Sequence, residues 1–155
     1  MRGKGNVVRR MFSDIDADIY VMVDGDQTYD AGSARYMIER LISENLDMVV
    51  ATRLEAKGEG IFPVGHRWGN VMLTWFVGVL FGKRFCDILS GYRVLSKRFV
   101  KSFPGLSTGF EIETELTIHA LELRMPIGEV ETPYLERPEG SVSVREQTRH
   151  ISGRL

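Results

Sequence analysis

Short β-branched runs alternate with stretches of helical period along this chain, and that order predicts an α/β fold with a largely parallel sheet. Residues 4–13 read as a short helix ending before a compact strand, Asp18 to Val23, which stops at an acidic turn. Asp30 or Ser33 can cap a second helix through Ser43, with Tyr36, Met37, Leu41 and Ile42 as its apolar face. A second strand, Leu46 to Ala51, follows at once. The glycine-rich stretch Lys57 to Gly60 reads as a loop, and Trp68 to Phe81 is apolar nearly all round, as in a helix that is buried or lies against lipid. Phe85 to Leu95 reads as extended with a turn at Ser90-Gly91, and Ser96 caps a helical stretch to Ser102. Phe110 to Leu123 carries Ile112, Leu116, Ala120 and Leu123 at a near-helical period, and Pro126 to Tyr134 is a strand whose flanking prolines place it at an edge. The tail from Glu136 is polar.

Composition narrows the function classes. At 155 residues and 43% hydrophobic content the chain is the size of one domain and can bury a core. Twenty basic residues stand against 21 acidic ones, a net charge of -1, so nothing draws the whole molecule to nucleic acid and any anion site must be local. The single cysteine, Cys86, excludes an internal disulfide and suits a reducing, cytoplasmic setting, and the N-terminal residues lack the apolar core of a secretory signal. The apolar stretch Val71 to Phe81 falls short of the roughly 18 residues that span a bilayer. His66, His119 and His150 are too dispersed to form a zinc ligand set.

The candidate chemistry begins at Asp24-Gly25-Asp26. Two carboxylates one residue apart, where a buried strand opens into a loop, can both reach one divalent cation, and their hard oxygens suit Mg²⁺ or Mn²⁺ on a diphosphate. The same tripeptide is also common turn chemistry. An EF-hand is excluded, because Tyr29 and Arg35 stand where its glycine and bidentate glutamate are needed. Asp24-Gly-Asp26-Gln27-Thr28 also fits the Asp-x-Asp-x-Thr pattern of haloacid-dehalogenase-like phosphotransferases, with Asp24 as nucleophile, but the motif is not on the opening strand and no later acid pair follows.

Several separated segments match one family in the correct order: Gly3-Lys4-Gly5-Asn6, Asp18 to Asp26, Ala51-Thr-Arg53, Arg67-Trp-Gly-Asn70, Asp87-Ile-Leu-Ser90-Gly-Tyr-Arg93, Gly109-Phe-Glu111-Ile-Glu113 and Glu136-Arg137-Pro-Glu-Gly-Ser141. The chain resembles the polyprenyl-phosphate glycosyltransferases of glycosyltransferase family 2, related to dolichol-phosphate mannosyltransferase. The resemblance implies a GT-A fold, a Rossmann-like α/β architecture, with Asp24 and Asp26 holding Mg²⁺ or Mn²⁺ and the diphosphate of a nucleotide sugar. It implies catalytic roles near the transferred sugar for Asp87 and for Glu111 or Glu113. Substrate contacts would come from Lys4, Gln27, Arg53, Arg67, Asn70, Ser90, Arg93, Arg137, Ser141 and Arg145. It further implies a hexose passed from a GDP- or UDP-sugar to a polyprenyl phosphate at the cytoplasmic face of a membrane, with the Trp68 to Phe81 stretch near the lipid.

Two departures qualify the match. The opening strand with a Pro-x-Tyr-Asn-Glu-like segment, and the strands that contact the base, have no counterpart here, so residues 1–155 are expected to form a single partial GT-A domain, incomplete at its N-terminus. Where the family often has a lysine after Gly-Ser-x-Ser, this chain has Val144 followed by Arg145, which shifts the charge in a tail (136–155) expected to bind acceptor phosphate. A non-catalytic remnant or partner subunit that relies on another chain stays open as an alternative, as does pairing with a second copy or with a separate membrane subunit.

Overall fold

The computed structural model describes residues 3–25, 28–54, 87–109 and 111–133, with the side chains of Arg53 and Leu54 excepted. Among these, β1 (Ile19–Met22), β2 (Met48–Leu54), β3 (Arg93–Ser96) and β4 (Ile127–Pro133) form one sheet in the order β1-β3-β2-β4. β2 and β4 are parallel, whereas β3 runs antiparallel to both β1 and β2. The sheet is therefore mixed rather than largely parallel. The reason lies in the turn at 87–92, which delivers the chain to β3 at the end of the sheet where β1 finishes, so that Met22 pairs with Arg93 and β3 must run back. β4 is the outermost strand on its side among the described residues, as its prolines predict.

Helices cover both faces. Met48 and Val50 of β2 point into one core with Val8, Phe99, Val100, Ile112, Leu116 and Ala120, which come from α1 (Lys4–Asp14), α3 (Lys97–Ser102) and α4 (Ile112–Glu122). Val49 and Ala51 point the other way, onto Met37 and Leu41 of α2 (Ser33–Ser43) and onto Val94 and Val130. A strand covered on both faces needs apolar residues at every position, which accounts for the unbroken run Met48-Val-Val-Ala51.

Local signals explain most element boundaries. Ser96 caps α3 as expected: its hydroxyl accepts from the Phe99 N–H at 3.1 Å and donates to Asp47 at 2.7 Å. At α2 the N-cap position is Gly32, and Asp30 acts just ahead of it, accepting from the Gly32 N–H at 3.2 Å and the Ser33 hydroxyl at 2.8 Å. Only half of the expected α2 face is inward: Met37 and Leu41 are buried, whereas Tyr36 and Ile42 are exposed. The same holds for Leu123, which lies on the surface beyond the end of α4. Tyr20 closes the turn between α1 and β1, accepting from the Ala17 N–H and donating to the Ile15 carbonyl, while its ring meets Phe12 edge-on.

The largest buried polar element is Arg93, with no exposed surface. Its guanidinium donates to the carbonyls of Ser90 at 2.9 Å and Ile88 at 2.6 Å, and to the Thr117 hydroxyl of α4 at 2.9 Å. A further N–H points at the Met48 sulfur, 3.3 Å away. One side chain thus ties the 87–92 turn to β2 and α4. Burial lowers its pKa to about 10, a shift limited by the charges of Glu113 and Asp87, so the group stays cationic at neutral pH. Replacing Arg93 with Met leaves these acceptors without donors in a dry interior. Urea unfolding is expected to show a loss of about 3 kcal/mol.

Candidate functional site

The site forms where β1 ends, and its geometry follows from the sheet register. Because Met22 pairs with Arg93, Asp24 emerges beside Gly91, two residues beyond each strand end. A Cβ at Gly91 would collide with the Asp24 carboxylate, so only glycine leaves that carboxylate its place against the turn. The turn is closed by its own hydrogen bonds. Asp87 accepts from the Leu89 N–H at 3.2 Å, and Ser90 accepts from the Tyr92 N–H at 3.4 Å. From the other side, Tyr29 lies 3.3 Å from the Ser90 hydroxyl, and its own hydroxyl accepts from the Gly91 N–H at 3.3 Å.

Lys4 lies directly against Asp24. Its ammonium donates to Asp24 Oδ1 and Glu113 Oε1 together, joining α1, the end of β1 and the first turn of α4. Burial alone would lower the Lys4 pKa, but the hydrogen bonds and charges of Asp24 and Glu113 outweigh it and hold the group above its ordinary value. Lys4 and Glu113 are mostly shielded, with side-chain exposures of 19% and 6%, while Asp24 at 36% is the carboxylate that opens to solvent.

The flanking glycines place Lys4. Side chains at Gly3 or Gly5 would collide with the carbonyls of Thr108 and Ser107, and Gly3 has a φ of 119°, so the start of α1 lies directly on the 105–109 loop. The Gly5 N–H donates to the Gly109 carbonyl at 3.2 Å. Two glutamates hold that loop in turn. Glu115 accepts from the Leu106 and Ser107 N–H groups at 2.7 and 2.8 Å, and Glu111 accepts from Gly109 at 3.0 Å and Thr108 at 3.3 Å. The backbone N–H of Glu111 itself, followed by those of Gly109 and Thr108, holds the Glu111 carboxyl below its usual range.

The expected site residues therefore separate. Lys4, Asp24 and Glu113 come together in one ion-paired cluster. Asp87 begins the turn that carries Gly91, is buried and caps that turn. Glu111 is exposed and committed to the 105–109 loop. Ser90 and Arg93 need correcting as substrate ligands: both have no exposed surface, because the turn uses them as internal donors and acceptors. Asp26, Gln27, Arg67, Asn70, Arg137, Ser141, Arg145, the Arg53 side chain and the Trp68 to Phe81 stretch lie outside the described residues. Sequence reasoning missed Tyr29, whose hydroxyl clamps the Ser90-Gly91 turn; its position three residues after Asp26 was the available signal.

The described residues supply one carboxylate, that of Asp24, whose hard oxygens suit a divalent cation. Among the described residues no group of three or more His, Cys, Asp or Glu side chains could hold a metal, and Asp26, the second acid of the pair, lies outside them. What the described part supplies is a partly open carboxylate, fixed against a glycine, that already holds a positive charge in place. Among the described residues no helix is long and apolar enough to cross a membrane.

No protein-family model matches the chain. The glycosyltransferase AglJ of Haloferax volcanii is 35% identical over 140 residues, which is 90% of this chain and 46% of that protein. Protein RfbJ of Shigella flexneri is 63% identical over 67 residues, 43% of this chain and 52% of that protein. The chain thus spans about half the length of these curated relatives. A solved structure, glucosyl-3-phosphoglycerate synthase from Mycobacterium tuberculosis in complex with Mn²⁺, UDP-glucose and phosphoglyceric acid, superimposes with a TM-score of 0.68 at 20% identity, over 89% of this chain and 49% of that one. The fold is the GT-A glycosyltransferase architecture, as expected from the sequence, and the chain is a relative of glycosyltransferases.

Gly91→Ala probes the geometry directly. The colliding atom is the end of a side chain, so the fold is expected to survive with a change in urea stability under about 1 kcal/mol. Displacement of the Asp24 carboxylate is expected to weaken Mn²⁺ binding about tenfold or more, measured by calorimetry.

Proposed function

We propose that this chain is the metal and acceptor portion of an enzyme that transfers a hexose from a GDP- or UDP-sugar to a polyprenyl phosphate at the cytoplasmic face of a membrane. The observation that carries the reading is the Asp24 carboxylate, seated against Gly91 at the end of β1 in a GT-A fold and facing solvent beside Lys4 and Glu113. The structural neighbour was solved with Mn²⁺, a nucleotide sugar and a phosphorylated acceptor together, which supports the same three components here.

In this reading Asp24 and Asp26 hold Mg²⁺ or Mn²⁺, and the cation when bound neutralises charge on the departing diphosphate. The bond between the sugar C1 and the diphosphate oxygen breaks with its electron pair leaving on the nucleoside diphosphate, and an acceptor phosphate oxygen forms the new bond to C1. A phosphate monoester is already anionic at neutral pH, so the site has little proton abstraction to perform and its work is positioning. Lys4 links Asp24 to Glu113, and Asp87 shapes the turn on which Asp24 rests. Arg67, Arg137 and Arg145 are assigned to the phosphate groups, since guanidinium suits paired phosphate oxygens.

The test supplies the protein with Mn²⁺ or Mg²⁺, a radiolabelled UDP- or GDP-hexose and a polyprenyl phosphate in detergent micelles, and counts label extracted with the lipid. Label is expected in the lipid phase, and Asp24→Asn is expected to reduce the rate roughly a thousandfold, the several kcal/mol a metal supplies to such a step. Label that stays aqueous with every donor, both for this chain and for a version extended at its N-terminus to the length of its relatives, contradicts the proposal.

A further inference from the structure

Lys4 is the one described side chain that contacts Asp24 with a full positive charge, and it does so from a position that glycines on either side make compulsory. We propose that Lys4 is a displaceable resident cation: it holds Asp24 and Glu113 together when no divalent ion is bound, and a divalent ion takes Asp24 from it, leaving Lys4 on Glu113 alone. This rests on the reading of Asp24 as a metal ligand. The carboxylates differ in the way an exchange requires. Glu113 is nearly enclosed and keeps its ion pair, whereas Asp24 is the more open of the two and can turn from the ammonium to an ion arriving from solvent.

Two physical consequences follow. Without a counter-ion, the two carboxylates of this cluster would repel each other and would draw in any cation at hand; with Lys4 in place the site is neutralised and its metal affinity is held down. The anchor of Lys4 is also stiff, because the start of α1 is pressed onto Ser107 and Thr108 and bonded to Gly109. The ammonium therefore withdraws by rotation of its own side chain, while α1 stays where it is.

The experiment titrates Mn²⁺ into the wild-type protein, Lys4→Met, Lys4→Arg and Asp24→Asn, following free Mn²⁺ by its paramagnetic resonance signal. Removing the competing charge is expected to tighten binding about tenfold in Lys4→Met, whereas Lys4→Arg, which keeps the charge, stays within about threefold of wild type. Equal or weaker binding by Lys4→Met overturns the inference. If Lys4→Met fails to fold, the wild-type protein carries the test: with the lysine side chains labelled in ¹³C and diamagnetic Mg²⁺ as titrant, the Lys4 methylene next to the ammonium is expected to shift in step with Mg²⁺ saturation, and an unmoved signal at saturation overturns the inference. The underlying metal reading fails separately: in that case Asp24→Asn binds Mn²⁺ as well as wild type does, or neither binds it, and the inference falls with it.

Discussion

A single buried guanidinium holds this architecture in register. Arg93 stands at the first position of the central strand β3 with its charge fully enclosed, and it repays the loss of water by donating to two carbonyls of the 87–92 turn and to a hydroxyl of α4. Such an arrangement is costly to break and costly to misplace, because each acceptor it satisfies is itself buried. The turn is thereby fixed to the sheet, β3 is fixed beside β1, and Asp24 is brought against Gly91. The position of the candidate site is a consequence of that register.

A second layer of constraint works through charge. Glu111 and Glu115 do not join the cluster; they bind the backbone N–H groups of the 105–109 loop, and the loop seats the start of α1. Lys4 is thus delivered to Asp24 and Glu113 from a distant part of the chain by contacts between backbones. Of the three acids at the start of α4, one faces the site and two build the platform that supplies its counter-charge.

Much of the fold was legible from pattern. The unbroken apolar run of β2, the Ser96 cap and the prolines around β4 each state a physical requirement that the structure meets. The direction of β3 was not legible, because strand orientation depends on where the preceding turn lies and periodicity is the same in both directions. Tyr36 and Ile42 satisfy the helical period of α2 yet face outward, since the period identifies a face without saying how wide the covered part is. At the site, residues of several of the ordered motifs lie together, but the motifs do not state the division of labour within them. Ser90 and Arg93 share a motif with Asp87 and are structural, and an arginine that grips phosphate and one that grips carbonyls use the same donors. Lys4 looks like an ordinary solvated lysine in isolation; the glycines on both sides were the sign that its backbone passes close to another.

The account places a divalent cation at the carboxylate of Asp24, and paramagnetic broadening maps such an ion without any assumption about the reaction. With substoichiometric Mn²⁺ added to isotopically labelled protein, the amide signals of Gly25, Gly91 and Glu113 are predicted to broaden first, while those of Ser43 and Leu123, at the far ends of α2 and α4, keep their intensity. Uniform broadening, or broadening centred away from the end of β1, would contradict it.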